Sequence, residues 1–242
     1  MTLLFEAATH IGNKKLRNED RYFVREQADG SLLMAVADGV GGMPGGEKAA
    51  ELAMEAVAAA EIGESITPNR LIHLAMNAHD SILRYADTHP RLEGMGTTLT
   101  AAVVREDTIF WVHVGDSRLY ILHDGLLRQA TTDHRFLTSM IKDGDITAEE
   151  ALSHPLRNML DQCLGCSIIE PEQGSASLKP GDRVLLCTDG LYGEVSHESV
   201  ERILSTDITA KQKADQLLEA SLKAGGVDNI TLIVVHSATF HP

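Results

Sequence analysis

The stretch "AVADGVGGMPGGE", residues 35–47, decides how this chain is read. Apolar residues run from Leu32 into a single acid, Asp38, and glycines follow at 39, 41, 42, 45 and 46. Asp38 is the only charged residue between Asp29 and Glu47. The run "LLMAVA" has no polar alternation, so it predicts a strand covered on both faces. A carboxylate at the end of such a strand is costly unless a cation meets it or the end opens to water. The glycines after it allow tight turns and close approach of the backbone to a ligand.

Working outward, the composition removes several function classes. The 242 residues carry 35 acidic and 21 basic side chains, a formal charge of −14, and 43% are hydrophobic. Such an acidic balance argues against a nucleic-acid partner, and the one basic cluster, "KKLR" at Lys14–Arg17, is too short to reverse it. No apolar run approaches the ~20 residues needed to cross a bilayer. The start "MTLLFEAATH" lacks the charged and apolar regions of a signal peptide, so no membrane association and a cytoplasmic location are expected. Cysteine is sparse and odd in number, three in all. The pair in "CLGC", Cys163 and Cys166, lacks a second half that would make a zinc site, and ordinary semi-buried thiols are expected.

Strand patterns fall at 3–9, 21–26, 31–37, 98–104, 108–114, 118–122, 172–177, 182–187 and 229–236, and helical periodicity at 46–60, 69–87, 134–143, 196–205 and 209–223. Short gaps between consecutive strands favour antiparallel meanders over βαβ alternation. No repeat or linker divides the chain, so a single domain over 1–242 is expected, with the irregular 134–171 segment as a surface flap.

Asp38 has companions in turn-like settings beside strands: Asp20 in "RNEDR", Asp116 in "VGDSR", Asp189 in "CTDGL" and Asp228 in "GVDNIT". Taken singly, each is an ordinary turn. As a set at strand ends, they would repel one another unless a divalent cation offsets them, and oxygen-only ligands suit Mg²⁺ or Mn²⁺. No nucleophile motif competes: G-x-S-x-G is absent, and neither Cys163 nor Cys187 is followed by Arg at the spacing of a cysteine-phosphatase loop.

The ordered set "NED" (Asn18–Asp20), "ADGVGG", "GTT" (Gly96–Thr98), "VGDSR", "TTDH" (Thr131–His134), "HPLRN" (His154–Asn158), "CTDGL" and "DN" (Asp228–Asn229) resembles the protein phosphatase 2C family of metal-dependent serine/threonine phosphatases. The resemblance implies an α+β fold, a four-layer α-β-β-α sandwich of two antiparallel sheets flanked by helices. It also implies hydrolysis of phosphoserine and phosphothreonine by water activated between two Mg²⁺ or Mn²⁺ ions. Asp38 would bridge the ions with the Gly39 carbonyl on one of them; Asp189 and Asp228 would complete the second; Asp20 would hold water; Asp116 would serve a third, weaker ion. The implied partners are phosphoproteins and a serine/threonine kinase whose action is reversed. Rival readings are a phosphatase of small phosphoesters and a pseudophosphatase that only captures phosphoproteins.

Two positions depart from the family pattern. Val40 stands where animal relatives carry a histidine that could protonate the leaving oxygen; His134 is another candidate for that proton, though a structural role is the plainer reading. Lys15 stands where the family has a phosphate-gripping arginine, with Arg17 two residues on and on the same face of an extended segment. Lysine offers a point charge instead of a bidentate fork. Lys15 is favoured on register, with Arg17 as the rival.

Overall fold

The computed structural model describes residues 2–61 and 68–238. In chain order the elements are β1 (Thr2–His10), β2 (Arg21–Glu26), β3 (Leu32–Ala37), α1 (Gly46–Ala59), α2 (Pro68–Thr88), a 3-10 turn (Pro90–Leu92), β4 (Leu99–Arg105), β5 (Thr108–Val114), β6 (Arg118–His123), β7 (Leu126–Gln129), α3 (Phe136–Asp143), α4 (Ala148–Ser153), β8 (Glu172–Ser177), β9 (Arg183–Cys187), α5 (Asp189–Tyr192), α6 (His197–Ser205), α7 (Ala210–Ala224) and β10 (Ile230–Ala238). They form two antiparallel five-stranded sheets, ordered β1-β10-β9-β6-β7 and β2-β3-β4-β5-β8.

Strand β3 shows why there are four layers. All six of its residues are buried. Alternate side chains of a strand point to opposite faces. Leu33, Ala35 and Ala37 pack with Ala49, Ala53 and Val57 of α1 and with Leu71, Ala75 and Ile82 of α2. Leu32, Met34 and Val36 face the other sheet and meet Leu119, Leu186, Ile233 and Val235. The far face of that second sheet, through Leu185, Leu232 and Val234, packs on Val200 of α6 and Ala214 and Leu217 of α7. The unbroken apolar run is therefore the signature of a central layer.

Register gathers the acids at one end of both sheets. Arg21 pairs with Ala37 and Val36 with Thr100, so Asp20 and Thr98 come beside Asp38. Cys187 lies between Arg118 and Leu232, so Asp189 starts where the neighbouring strand has just left Asp116. Asp228 immediately precedes β10.

Strand β7 and the short α4 and α5 were not among the expected elements. β7 is only four residues long, but its turn was legible: Asp124 and Gly125 both have positive φ, 49° and 79°. That is the conformation a two-residue hairpin turn demands of an Asp-Gly pair. The expectation for "CLGC" is corrected as well. Cys163 and Cys166 form a disulfide, with Cα atoms 5.3 Å apart, while Cys187 remains a buried thiol. The turn closed by the Cys166 amide on the Cys163 carbonyl (3.0 Å) brings the two together, a local geometry that spacing alone does not specify.

Two outcomes test this description. Ala53 is fully buried where α1 meets the sheet. Ala53→Leu would overpack that contact and cost about 1–3 kcal/mol, seen as a lower thermal midpoint with unchanged circular dichroism at low temperature. Thiol titration of the non-reduced, denatured chain is expected to count a single thiol, Cys187; three would show that Cys163 and Cys166 are not bridged.

Candidate metal centre

A cavity of about 510 Å³ opens at this end of the sheets, lined by Lys15, Asp38, Gly39, Asp116, Asp189 and Asp228 among others. Arg17 does not line it; that residue is exposed, and its carbonyl is held by the Asn229 amide at 2.9 Å. Asp20 is buried just behind, only 2% exposed. The structure thus brings together every acid that the sequence singled out.

Threonines fix the acids. The Thr98 amide donates to the Asp38 carbonyl (2.9 Å), the Asp38 amide donates back to Thr98 Oγ1 (3.0 Å), and Thr97 Oγ1 donates to the same carbonyl (2.8 Å). The "GTT" hydroxyls therefore bond to backbone. Thr188 Oγ1 donates to Asp20 Oδ2 at 2.8 Å. Asn229 staples the segment carrying Lys15: its Oδ1 accepts the Glu19 amide (2.8 Å), and its Nδ2 donates to the carbonyls of Ile11 and Arg17 (2.9 Å each). Two glycines are required by close approach. A Cβ on Gly39 would lie 2.5 Å from the Gly46 carbonyl carbon, and one on Gly190 would lie 1.9 Å from the Asn229 carbonyl oxygen.

The electrostatics show what the site lacks. Burial, then the charges of Asp20 and Asp189, raise Asp38 well above the ordinary carboxylate range. Burial pushes Asp189 up to about 7, with Asp116 and Asp228 adding to it, and pushes Asp20 up to about 6 against the Thr188 hydrogen bond. Asp20 Oδ1 and Asp189 Oδ1 are buried without a hydrogen-bond partner. Mutual repulsion together with orphaned carboxylate oxygens is the demand that a divalent cation would meet. Among the described residues no group of three His, Cys, Asp or Glu side chains is gathered tightly enough to cage an ion by itself. Mg²⁺-like ions need no such cage: they take one or two carboxylates and keep several waters. The donor set, oxygen-bearing carboxylates with Gly39 at the cavity wall, fits Mg²⁺ or Mn²⁺.

Two cations already touch these acids. Lys15 Nζ lies 2.6 Å from Asp228 Oδ1, with both side chains more than a third exposed. Burial alone would lower the lysine pKa, but the hydrogen bond and charge of Asp228 raise it. Arg135 reaches Asp116 Oδ2 through Nε (2.8 Å) and Nη2 (2.7 Å). Arg118 ends the "VGDSR" motif, but nothing in the local sequence ties it to Arg135 and Tyr192: the three lie on separate elements and meet only in the fold. His134 does not line the cavity, and its Nδ1 accepts the Gly115 amide at 3.2 Å, so it belongs to the framework. Asn158 of "HPLRN" does line the cavity, whereas His154 caps its own turn by accepting the Leu156 amide.

Comparison with known proteins agrees with this geometry. The family model described as "Protein phosphatase 2C" matches residues 8–225. The serine/threonine protein phosphatase PstP of Mycobacterium tuberculosis is 36% identical over 97% of this chain, and the chain spans 45% of that relative's length. The serine/threonine phosphatase stp of Listeria monocytogenes is 34% identical over 95% of this chain and 94% of its own. A crystal structure of the PstP catalytic domain in complex with two manganese ions superposes with a TM-score of 0.86 at 34% identity, covering 98% of this chain and 99% of that one. With its four layers, its motifs in order and its acids on one cavity, the chain belongs to the protein phosphatase 2C family.

Proposed function

We propose that this protein hydrolyses phosphoserine and phosphothreonine in protein substrates, reversing the action of a serine/threonine kinase in the cytoplasm. No described helix is long and apolar enough to cross a membrane. The observation that carries the reading is the convergence of Asp38, Asp189 and Asp228 on one cavity with Asp20 buried behind it, and with carboxylate oxygens of Asp20 and Asp189 left unpartnered. Asp38 and the Gly39 carbonyl would hold one divalent ion, Asp38 would share itself with a second, and Asp189 and Asp228 would complete the second; Asp20 would orient water. When bound, a pair of such ions acidifies water as the nucleophile and offsets charge on the phosphoryl oxygens.

The chain's own residues do the remainder. The threonine bonds hold the Asp38 backbone and the Asp20 carboxylate in position before any ion arrives, which limits the reorganisation that accompanies binding. Lys15 stands at the cavity wall, half in solvent, where a phosphate could draw its ammonium from Asp228. Val40, Met43, Met159 and Leu160 also line the cavity, an apolar part of the wall beside the acids.

Asp38→Ala or Asp228→Ala is expected to lower turnover of a phosphothreonine peptide by several orders of magnitude. Chelation should do the same to the unmodified protein, and Mn²⁺ or Mg²⁺ should restore it. Full activity in chelated protein would defeat the reading. Running the same assay on small phosphoesters and phosphotyrosine separates the protein-phosphatase reading from its small-molecule rival, and binding without turnover would indicate a phosphoprotein-capturing protein.

Lys15→Ala is expected to raise KM about 10- to 100-fold with a smaller change in kcat, the effect of losing one charged contact to bound phosphate. Lys15→Arg should keep or improve KM, and Arg17→Ala should leave it nearly unchanged. Steady-state kinetics showing the opposite pattern would move the phosphate contact to Arg17.

A further inference from the structure

The family resemblance gives Asp116 to a third, weaker metal ion. We propose that in this protein the guanidinium of Arg135 takes that ion's place, so that the loaded protein carries two divalent ions. The proposal rests on the two-ion reading above.

Asp116 is already served. Its Oδ2 receives two guanidinium nitrogens, at 2.8 and 2.7 Å, and the pair is largely enclosed, with side-chain exposures of 20% for Arg135 and 8% for Asp116. Burial raises the Asp116 carboxyl, and the charge of Arg135, followed by its hydrogen bond, pulls the other way. Asp20 and Asp189 each keep a buried oxygen with no hydrogen-bond partner, whereas Asp116 Oδ2 already meets a full positive charge. The unmet demand for positive charge therefore lies at the two-ion core and not at Asp116.

Arg135 is also fixed in place. Its Nη2 donates to the Tyr192 hydroxyl (2.9 Å), which itself donates to the Asp116 carbonyl (2.8 Å). Tyr192 is held by Arg118, whose guanidinium carbon lies 3.6 Å from the ring centroid, and Arg118 forms a two-pronged pair with Asp133 (2.8 and 2.7 Å). The backbone around Arg135 is clamped from both sides: the His134 amide donates to the Gly115 carbonyl (2.7 Å) and the Phe136 amide to the Met159 carbonyl (2.9 Å). The Lys15–Asp228 pair is different. It is one nitrogen on a flexible stem in a half-exposed setting, and an incoming ion can displace it. Displacing Arg135 would strip a buried guanidinium of its carboxylate, which is strongly unfavourable. An ion bound to the free Asp116 oxygen with Arg135 still in place would face a cation across the same carboxylate.

Arg135 is thus a positioning residue: it supplies permanent positive charge behind Asp116, but no proton, because guanidinium stays protonated at any working pH. The test reads ion number in the intact protein, by calorimetric titration with Mn²⁺ alone and by metal analysis after equilibrium dialysis against millimolar Mn²⁺. The wild type and Arg135→Lys are expected to hold two Mn²⁺ per chain, and Asp116→Asn to leave that number at two. Arg135→Gln is expected to gain a third. A third Mn²⁺ in the wild type, loss of an ion on Asp116→Asn, or a folded Arg135→Gln that stays at two would each overturn the proposal. If Arg135→Gln does not fold, the wild-type and Asp116→Asn counts still decide. A wild type that binds no Mn²⁺ overturns the two-ion reading itself and the proposal with it, a result distinct from a count of three.

Discussion

Like-charge repulsion among carboxylates is the constraint around which this structure is organised. Asp20, Asp38, Asp116, Asp189 and Asp228 are brought to one end of two sheets, in a chain already at −14. Burial raises the proton affinity of Asp38, and the charges of Asp20, Asp189, Asp116 and Asp228 add to it. A fold does not hold such a cluster for stability. The apolar cores on either side of β3 supply the framework that tolerates it, through burial of the kind worth about 25 cal/mol per Å² of apolar surface. The local cost is one that divalent cations would offset.

Precision in the cluster comes from backbone register. One-residue slips turn every side chain of a strand to the opposite face. A slip of β2 against β3 would move Asp20 away from Asp38 and turn Phe23 and Val24 of β2 away from the cores they pack against. The same hydrophobic alternation that builds four layers therefore sets the geometry of the acids. The threonine hydroxyls at Thr97, Thr98 and Thr188 then refine it, each bonding an acid's backbone or carboxylate directly.

This explains which parts could be read from sequence. The central layer was visible because "LLMAVA" allows neither face to be wet. The acids were visible because their positions follow strand ends in order, a pattern that no single Asp-Gly turn carries. Strand β7 was missed because four residues carry too little periodicity, even though Asp124-Gly125 marked its turn. The bridge between Cys163 and Cys166 was missed because spacing does not fix backbone direction. The partnership of Arg135, Tyr192 and Arg118 was invisible for a deeper reason, although "VGDSR" ends on Arg118: it spans residues 118 to 192 and exists only once α5 packs beside the β5–β6 turn.

The two cations at the cavity differ in kind, and the difference follows from burial. Exposed ion pairs are worth little and exchange readily, whereas a buried pair is hard to break once formed. Lys15 on Asp228 belongs to the first kind, and its flexible stem makes it a charge that can move between a carboxylate and an arriving phosphate. Arg135 on Asp116 belongs to the second, locked by Tyr192 and by the backbone bonds on either side of it. Exchangeable charge faces the side where substrate and ions enter, and permanent charge sits behind the acid that needs no exchange. With Asp116 neutralised from within, the requirement for divalent cations narrows to Asp20, Asp38, Asp189 and Asp228, and Asp20 and Asp189 are the two that keep buried oxygens without a partner.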